Sequence, residues 1–148
     1  MVTTDTLLDV NVLVALFWPR HEFHAEATKW FRDHIKAKGV WATCALTEAG
    51  FVRVLSNPAV NQGTLSPRRV TAVLEQNLLR QGHKHWTMDL SWADALRLSG
   101  VEIESYRQVT DIYLIALAVK NRGRLATFDH ALGKLSKHVL VIGNAGRP

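Results

Sequence analysis

The stretch TLLDVNVLVAL, residues 6–16, sets a short apolar run, an aspartate and a second apolar run end to end. The first run has the length of a buried strand, and the second continues as NVLVALFW with the character of a helix packed on a core. A strand that passes directly into a helix opens a β/α unit. Asp9 stands at the junction. A carboxylate taken indoors has to be paired, hydrogen-bonded or bound to a cation, because burying it bare costs far more than a typical contact returns.

The alternation continues along the chain. Apolar segments VWATC (40–44), HWTM (85–88), RLATF (124–128) and HVLVI (138–142) follow TLLDV, with helix-like stretches between them. Five such segments predict an α/β fold with a mostly parallel five-stranded sheet, whose strands are covered on both faces. Ser66 before Pro67 reads as a helix N-cap followed by proline at the first helical position, and Ser91 with Asp94 reads as a capping box. Gly123 is expected to end the helix that begins near Asp111. SNPAVNQGTLSP, residues 56–67, is the expected long loop. At 148 residues without an internal repeat or a linker, the expectation is a single domain over 1–148, with a frayed tail at GNAGRP, residues 143–148.

Composition excludes several classes. A chain 47% apolar and 21% charged is neither disordered nor fibrous. No apolar run reaches the roughly 18 residues a membrane helix requires, and MVTTDT has no signal-peptide pattern, so a cytoplasmic protein is expected. One cysteine, Cys44, makes neither an internal disulfide nor a thiolate zinc cage. The net charge of +5 leans toward an anionic partner, although the basic residues are scattered.

Four acids meet the interior. Asp9 ends the first strand; Glu48 lies inside the helix CALTEAGFVRVL on one face with Cys44, Phe51, Val52 and Leu55; Asp111 opens the apolar DIYLIALAV; Asp129 follows RLATF. Taken singly, Asp9 and Asp129 serve equally well as helix N-caps, and Asp111 as a complement to a helix dipole. Glu48 is harder to dismiss, since this reading puts it neither in a first turn nor on a polar face. Together the four suggest one edge, because open parallel sheets bind ligands at the carboxyl ends of their strands. Four carboxylates gathered there would repel one another unless a cation sat among them, and an oxygen donor set suits Mg²⁺ or Mn²⁺. Such a metal polarises a phosphoryl oxygen and activates water.

These residues resemble the PIN-domain family, and specifically the VapC-type ribonuclease toxins of bacterial toxin–antitoxin pairs. LLDVNVLVAL, TEAGFVRVLSNP, VTDIYLIALA and RLATFD carry the resemblance over nearly the whole chain. Asp9, Glu48, Asp111 and Asp129 fall on the family's four acidic positions. The resemblance implies a three-layer α/β/α sandwich, a Mg²⁺- or Mn²⁺-dependent endoribonuclease, a homodimer, and a cognate VapB-type antitoxin covering the site. It also implies metal ligation by Asp9, Glu48 and Asp111, with Asp129 on a second ion or an outer water. Asn11 and Thr127 are candidates to support those ligands, with helix-cap or turn roles as the alternative.

RNA is held by cations on its phosphates and by aromatic rings under its bases. Arg20, Arg53, Arg68 and Arg69 are the candidates for that contact, each with an ordinary surface charge as the alternative. Trp18 and Trp86 read as core. His21 and His24 have a spacing that could bind metal, but no third ligand lies near. Val70, Val73, Leu74 and Leu78 suit core packing or a dimer face. Two other functions remain to be weighed: a housekeeping RNA-processing nuclease of the same fold without an antitoxin, and a receiver-like phosphoacceptor switch. The switch would require paired acids after the first strand and a late lysine, whereas Asp9 is followed by VNV and HVLVI by no lysine.

Overall fold

The computed structural model describes residues 4–143. Strand β1 (Thr6–Leu8) runs into α1 (Val10–Phe17), and α2 (His24–Lys36) leads to β2 (Trp41–Thr43). Helices α3 (Ala45–Leu55), α4 (Pro58–Asn61) and α5 (Pro67–Leu78) precede β3 (His83–His85). Next come α6 (Trp92–Ser99), a 3-10 turn (Tyr106–Gln108), α7 (Val109–Lys120) and β4 (Arg124–Thr127), then α8 (His130–Gly133) and β5 (Val139–Val141).

The strands form one sheet in the order β3-β2-β1-β4-β5, with every neighbouring pair parallel. The sheet is therefore wholly parallel rather than mostly so. Thr6 lies opposite both Trp41 and Arg124, which puts β1 at the centre. From β1 the chain builds outward through β2 to β3, then returns to the other side for β4 and β5. That reversal leaves a crevice at the carboxyl ends of β1 and β4, where open α/β sheets place ligands.

Side-chain alternation separates two cores. Leu8, Trp41 and Ala126 face α1, α2, α3 and α5, packing with Leu13, Phe31, Phe51, Val70 and Leu74. Leu7, Ala42 and Leu125 face the other way, onto Trp86 and Leu114, Ile115 and Leu117 of α7. Adjacent residues of one strand thus serve opposite cores, as a period of two requires, giving the three-layer sandwich. Among the described residues no helix is long and apolar enough to cross a membrane.

Local signals explain most boundaries. Ser66 Oγ accepts from the Arg69 N–H with Pro67 in the first turn, and Ser91 Oγ accepts from the Asp94 N–H. Three expectations need correction. The third strand is His83–His85, not 85–88: Gly82, at φ 86°, offers its carbonyl to the Trp41 N–H at 2.9 Å and starts the ladder early. Trp86 then turns into the core while Met88 is exposed, so apolarity alone misplaced the strand. At the end of α7 the left-handed residue is Arg122, at φ 55°, in a Schellman arrangement in which the Gly123 N–H donates to the Ala118 carbonyl at 2.8 Å. Gly123 is needed for close approach instead, since a Cβ there would stand 2.3 Å from the Asp5 carbonyl oxygen. Finally, the loop at 56–67 contains α4, and its buried Asn61 donates to the carbonyls of Leu55 at 2.6 Å and Leu65 at 3.0 Å. Of the expected frayed tail, residues 144–148 lie outside the described residues.

Candidate active site

The crevice between β1 and β4 is organised by one hydroxyl. Thr127, wholly buried at the end of β4, donates from Oγ1 to Asp9 Oδ2 at 2.8 Å. The same oxygen accepts from Asn11 Nδ2 at 3.1 Å and from the Asp129 N–H at 3.1 Å. Asn11 Oδ1 accepts from the Phe128 N–H at 3.2 Å. The two supporting candidates are thus joined to two of the acids.

Asp9 and Asp129 are both helix caps, as the simpler reading of each allowed. Asp9 Oδ1 accepts from the Val10 N–H at 2.8 Å, and Asp129 Oδ1 from the N–H groups of Ala131 and Leu132 at 2.9 and 3.4 Å. Capping fixes these carboxylates at the sheet edge without isolating them. Asp111, in the first turn of α7, is pushed up to about 6 by burial first and then by the charges of Asp9 and Asp129. Burial likewise raises Asp9, which the Asp129 charge reinforces while bonds from Thr127 and Val10 oppose it. Three carboxylates therefore share one electrostatic environment, and among the described residues none of them forms an ion pair with a basic side chain.

Glu48 is held differently. It lies in the first turn of α3, contrary to the expectation of a mid-helix acid, because the helix starts at Ala45 with Cys44 as its cap. Its Oε2 accepts from Thr43 Oγ1 at 2.7 Å and from His85 Nδ1 at 2.9 Å. Thr43 Oγ1 in turn lies 2.8 Å from His83 Nε2. Glu48 is not among the charges that raise Asp9 or Asp111. Burial lowers the His83 imidazole below its ordinary value, against the pull of Glu48. Sequence reading missed Thr43, His83 and His85. The signal was the spacing H-K-H, which puts both imidazoles on one strand face once the strand is placed at 83–85.

Beside Asp9 opens a cleft of about 240 Å³ lined by Thr47, Gly50 and Arg53 of α3 and Thr110 and Leu114 of α7. Gly50 allows α3 to close on α1, since a Cβ would lie 2.6 Å from Val10 Cγ2. Of the four arginines singled out for RNA, Arg53 lines this cleft, whereas Arg20, Arg68 and Arg69 are exposed and do not. His21 and His24 have local roles: the Phe23 N–H donates to His21 Nδ1, and His24 Nδ1 lies 2.7 Å from the Ala15 carbonyl. Val70 and Leu74 are core residues, with Val73 and Leu78 packed beside them.

The fit to a divalent cation rests on donor chemistry. Among the described residues no three His, Cys, Asp or Glu side chains form a ready-made cage. What stands at the edge is an oxygen-only, acid-rich set with a repulsion that a cation would relieve. Such a set suits an ion like Mg²⁺ that keeps several of its waters and is bound by one or two carboxylates.

The family model for the PIN domain matches residues 6–137. The chain belongs to the PIN-domain family. Among curated relatives of this PIN domain, ribonuclease VapC39 of Mycobacterium tuberculosis is 42% identical over 135 residues, covering 91% of this chain and 96% of its own. Ribonuclease VapC38 of the same organism is 42% identical over 131 residues, covering 88% and 89%. These matches over most of both chains put the chain among the VapC-type PIN domains. In fold, it is similar to M. tuberculosis VapC20, described as a sarcin–ricin loop cleaving toxin, with a TM-score of 0.65 at 14% identity over 93% of this chain and 99% of that one. It is also similar to VapBC2 of Rickettsia felis, solved bound to a DNA fragment from their promoter, with a TM-score of 0.63 at 11% identity, covering 93% and 98%.

Proposed function

We propose that this PIN domain is a Mg²⁺- or Mn²⁺-dependent endoribonuclease, the toxin of a toxin–antitoxin pair. The observation that carries the reading is Asp111, raised to about 6 beside Asp9 and Asp129 at the switch point of a parallel sheet. Acids with perturbed pKa values at such a crevice mark a functional-site candidate. The ribonuclease names of the relatives matched over most of their length support the substrate class.

On this reading Asp9, Asp111 and Asp129 hold the cation directly or through water, and Glu48 joins them from the β2 side. A bound divalent ion supplies a Lewis acid for the phosphoryl oxygen and lowers the pKa of a water for attack on phosphorus. The chain's own part is orientation. Thr127 and the Val10 N–H fix both oxygens of Asp9, Asn11 locks Thr127, and Thr43 with His85 sets the angle of Glu48. Arg53 offers a cation for a phosphate in the cleft. The same reading takes the chain as one cytoplasmic domain that forms a homodimer and is held in check by a VapB-type antitoxin.

The test is cleavage of total RNA by purified protein with Mg²⁺, with Mn²⁺ or with chelator, beside Asp9→Asn. Discrete products that require metal and vanish in the folded variant are expected. Wild-type cleavage by that variant, or none by folded, antitoxin-free protein with either metal, overturns the proposal.

A further inference from the structure

The 3-10 turn ahead of α7 carries an unusual surface. Tyr106 is 80% exposed, a large ring left in water where burial would be favourable. The turn beneath it is tightly held. Ser105 Oγ accepts from the Arg107 N–H at 3.2 Å, and Gln108 Oε1 accepts from the N–H groups of Glu104 and Ser105 at 2.8 and 3.3 Å. The Arg107 guanidinium lies over the Tyr106 ring, 5.7 Å from its centroid, and its Nε donates to the phenol oxygen at 3.3 Å. Despite Glu102 and Glu104 nearby in sequence, Arg107 forms no ion pair with a carboxylate among the described residues.

Its place relative to the acids follows from helical spacing. The turn runs straight into α7. Thr110 and Leu114 of α7 line the cleft beside Asp9, and Arg107, in the turn that leads into α7, precedes Thr110 by three residues and Asp111 by four. A guanidinium that forms no ion pair among the described residues thus lies within one turn of a cleft-lining residue, with an exposed ring attached to it. A lone exposed tyrosine has no implied partner. One prearranged with an arginine, beside carboxylates that would themselves repel RNA, has the chemistry of a nucleotide: an aromatic face for a base and a cation for its phosphate.

We propose that Tyr106 and Arg107 form the nucleotide-binding platform of the site, with Tyr106 stacking a single-stranded base next to the scissile bond and Arg107 holding that nucleotide's phosphate. This inference rests on the ribonuclease reading above. It adds a residue pair that orders the strand, distinct from the acids that cut it.

The probe is a fluorescein-labelled, mixed-sequence single-stranded RNA, its binding followed by anisotropy in chelator so that the strand survives, and its cleavage followed with Mn²⁺. Tyr106→Ala should weaken Kd roughly 5- to 150-fold, the range of base–aromatic stacking, with Tyr106→Phe near wild type. Arg107→Gln should flatten the slope of log Kd against log salt by about 0.7, one phosphate contact on a single strand, with Arg107→Lys retaining the slope. In cleavage, KM should rise far more than kcat falls. If wild type cuts RNA and both variants keep its Kd and salt slope, the platform is wrong and the nuclease stands. If wild type neither binds nor cuts, both fall. A change of mass in light scattering with RNA affinity intact would assign Tyr106 to a contact between copies and overturn the platform.

Discussion

Replacing Asp111 by asparagine should make this protein more stable while abolishing its activity. Asp111 is raised from 3.8 to about 6 in the folded state. The folded chain therefore binds its proton more tightly than the unfolded chain, so stability falls as pH rises through that window. The penalty is absent below pH 3.8 and complete above about 6. At about 1.4 kcal/mol per pH unit the shift corresponds to ~3 kcal/mol, which solvent screening at a half-buried group reduces to about 1–3 kcal/mol. Asparagine keeps the shape and removes the charge. At this size each kcal/mol moves Tm by about 2–4 °C, so Asp111→Asn should melt about 2–12 °C above wild type at pH 7 in chelator and level with it near pH 4. Added Mn²⁺ should close the gap at pH 7, by stabilising wild type through binding that the variant has lost. The assay is circular dichroism at both pH values. A variant no more stable than wild type at pH 7, or one whose advantage persists undiminished at pH 4, refutes the reasoning.

Three further outcomes follow from the packing. Thr127→Val leaves Asp9 Oδ2, the Asn11 amide and the Asp129 N–H without their shared hydroxyl; it should cost about 1–3 kcal/mol in denaturant melts and raise Asp9 further, moving the acid limb of the pH–rate profile upward. Gly123→Ala drives a Cβ to within 2.3 Å of the Asp5 carbonyl and should cost about 1–3 kcal/mol, whereas Arg122→Gly relieves a positive φ and should gain up to about 1 kcal/mol; equal effects at the two positions would contradict this division of labour. Asn61→Ala frees the carbonyls of Leu55 and Leu65, so limited proteolysis should nick residues 56–67 faster, and an unchanged cutting rate would remove Asn61 as the pin.

Much of the architecture was legible because strand residues are buried on both faces and write themselves as apolar runs. TLLDV, VWATC, RLATF and HVLVI were located by that signal alone. The strand at 83–85 was not, because it is a sheet edge made of His-Lys-His, and its position is set by Gly82 and Trp41 across the ladder. Its misplacement hid the imidazole partners of Glu48. The acids at the β1 and β4 ends were legible because a charge in an apolar run demands a reason. The hub that joins them was only half legible: Thr127 and Asn11 are ordinary polar residues in sequence, and a separation of 116 residues hides their pairing. Tyr106 escaped because exposure is decided by the tertiary fold.

The bond between Thr127 and Asp9 spans 118 residues, and it has a kinetic meaning. Local pieces such as α1 or α7 can form early, but closing so long a loop comes with the pairing of β1 and β4, a non-local contact of the kind that slows folding. An intermediate holding β1, β2 and β3 alone has Asp9 without its oxygen partner and without Asp129 beside it. If Asp9 and Asp129 hold the catalytic cation as proposed, catalytic competence arrives in one step with the completed sheet. On refolding from denaturant, enzymatic activity should return with the slowest phase, trailing the recovery of helical signal.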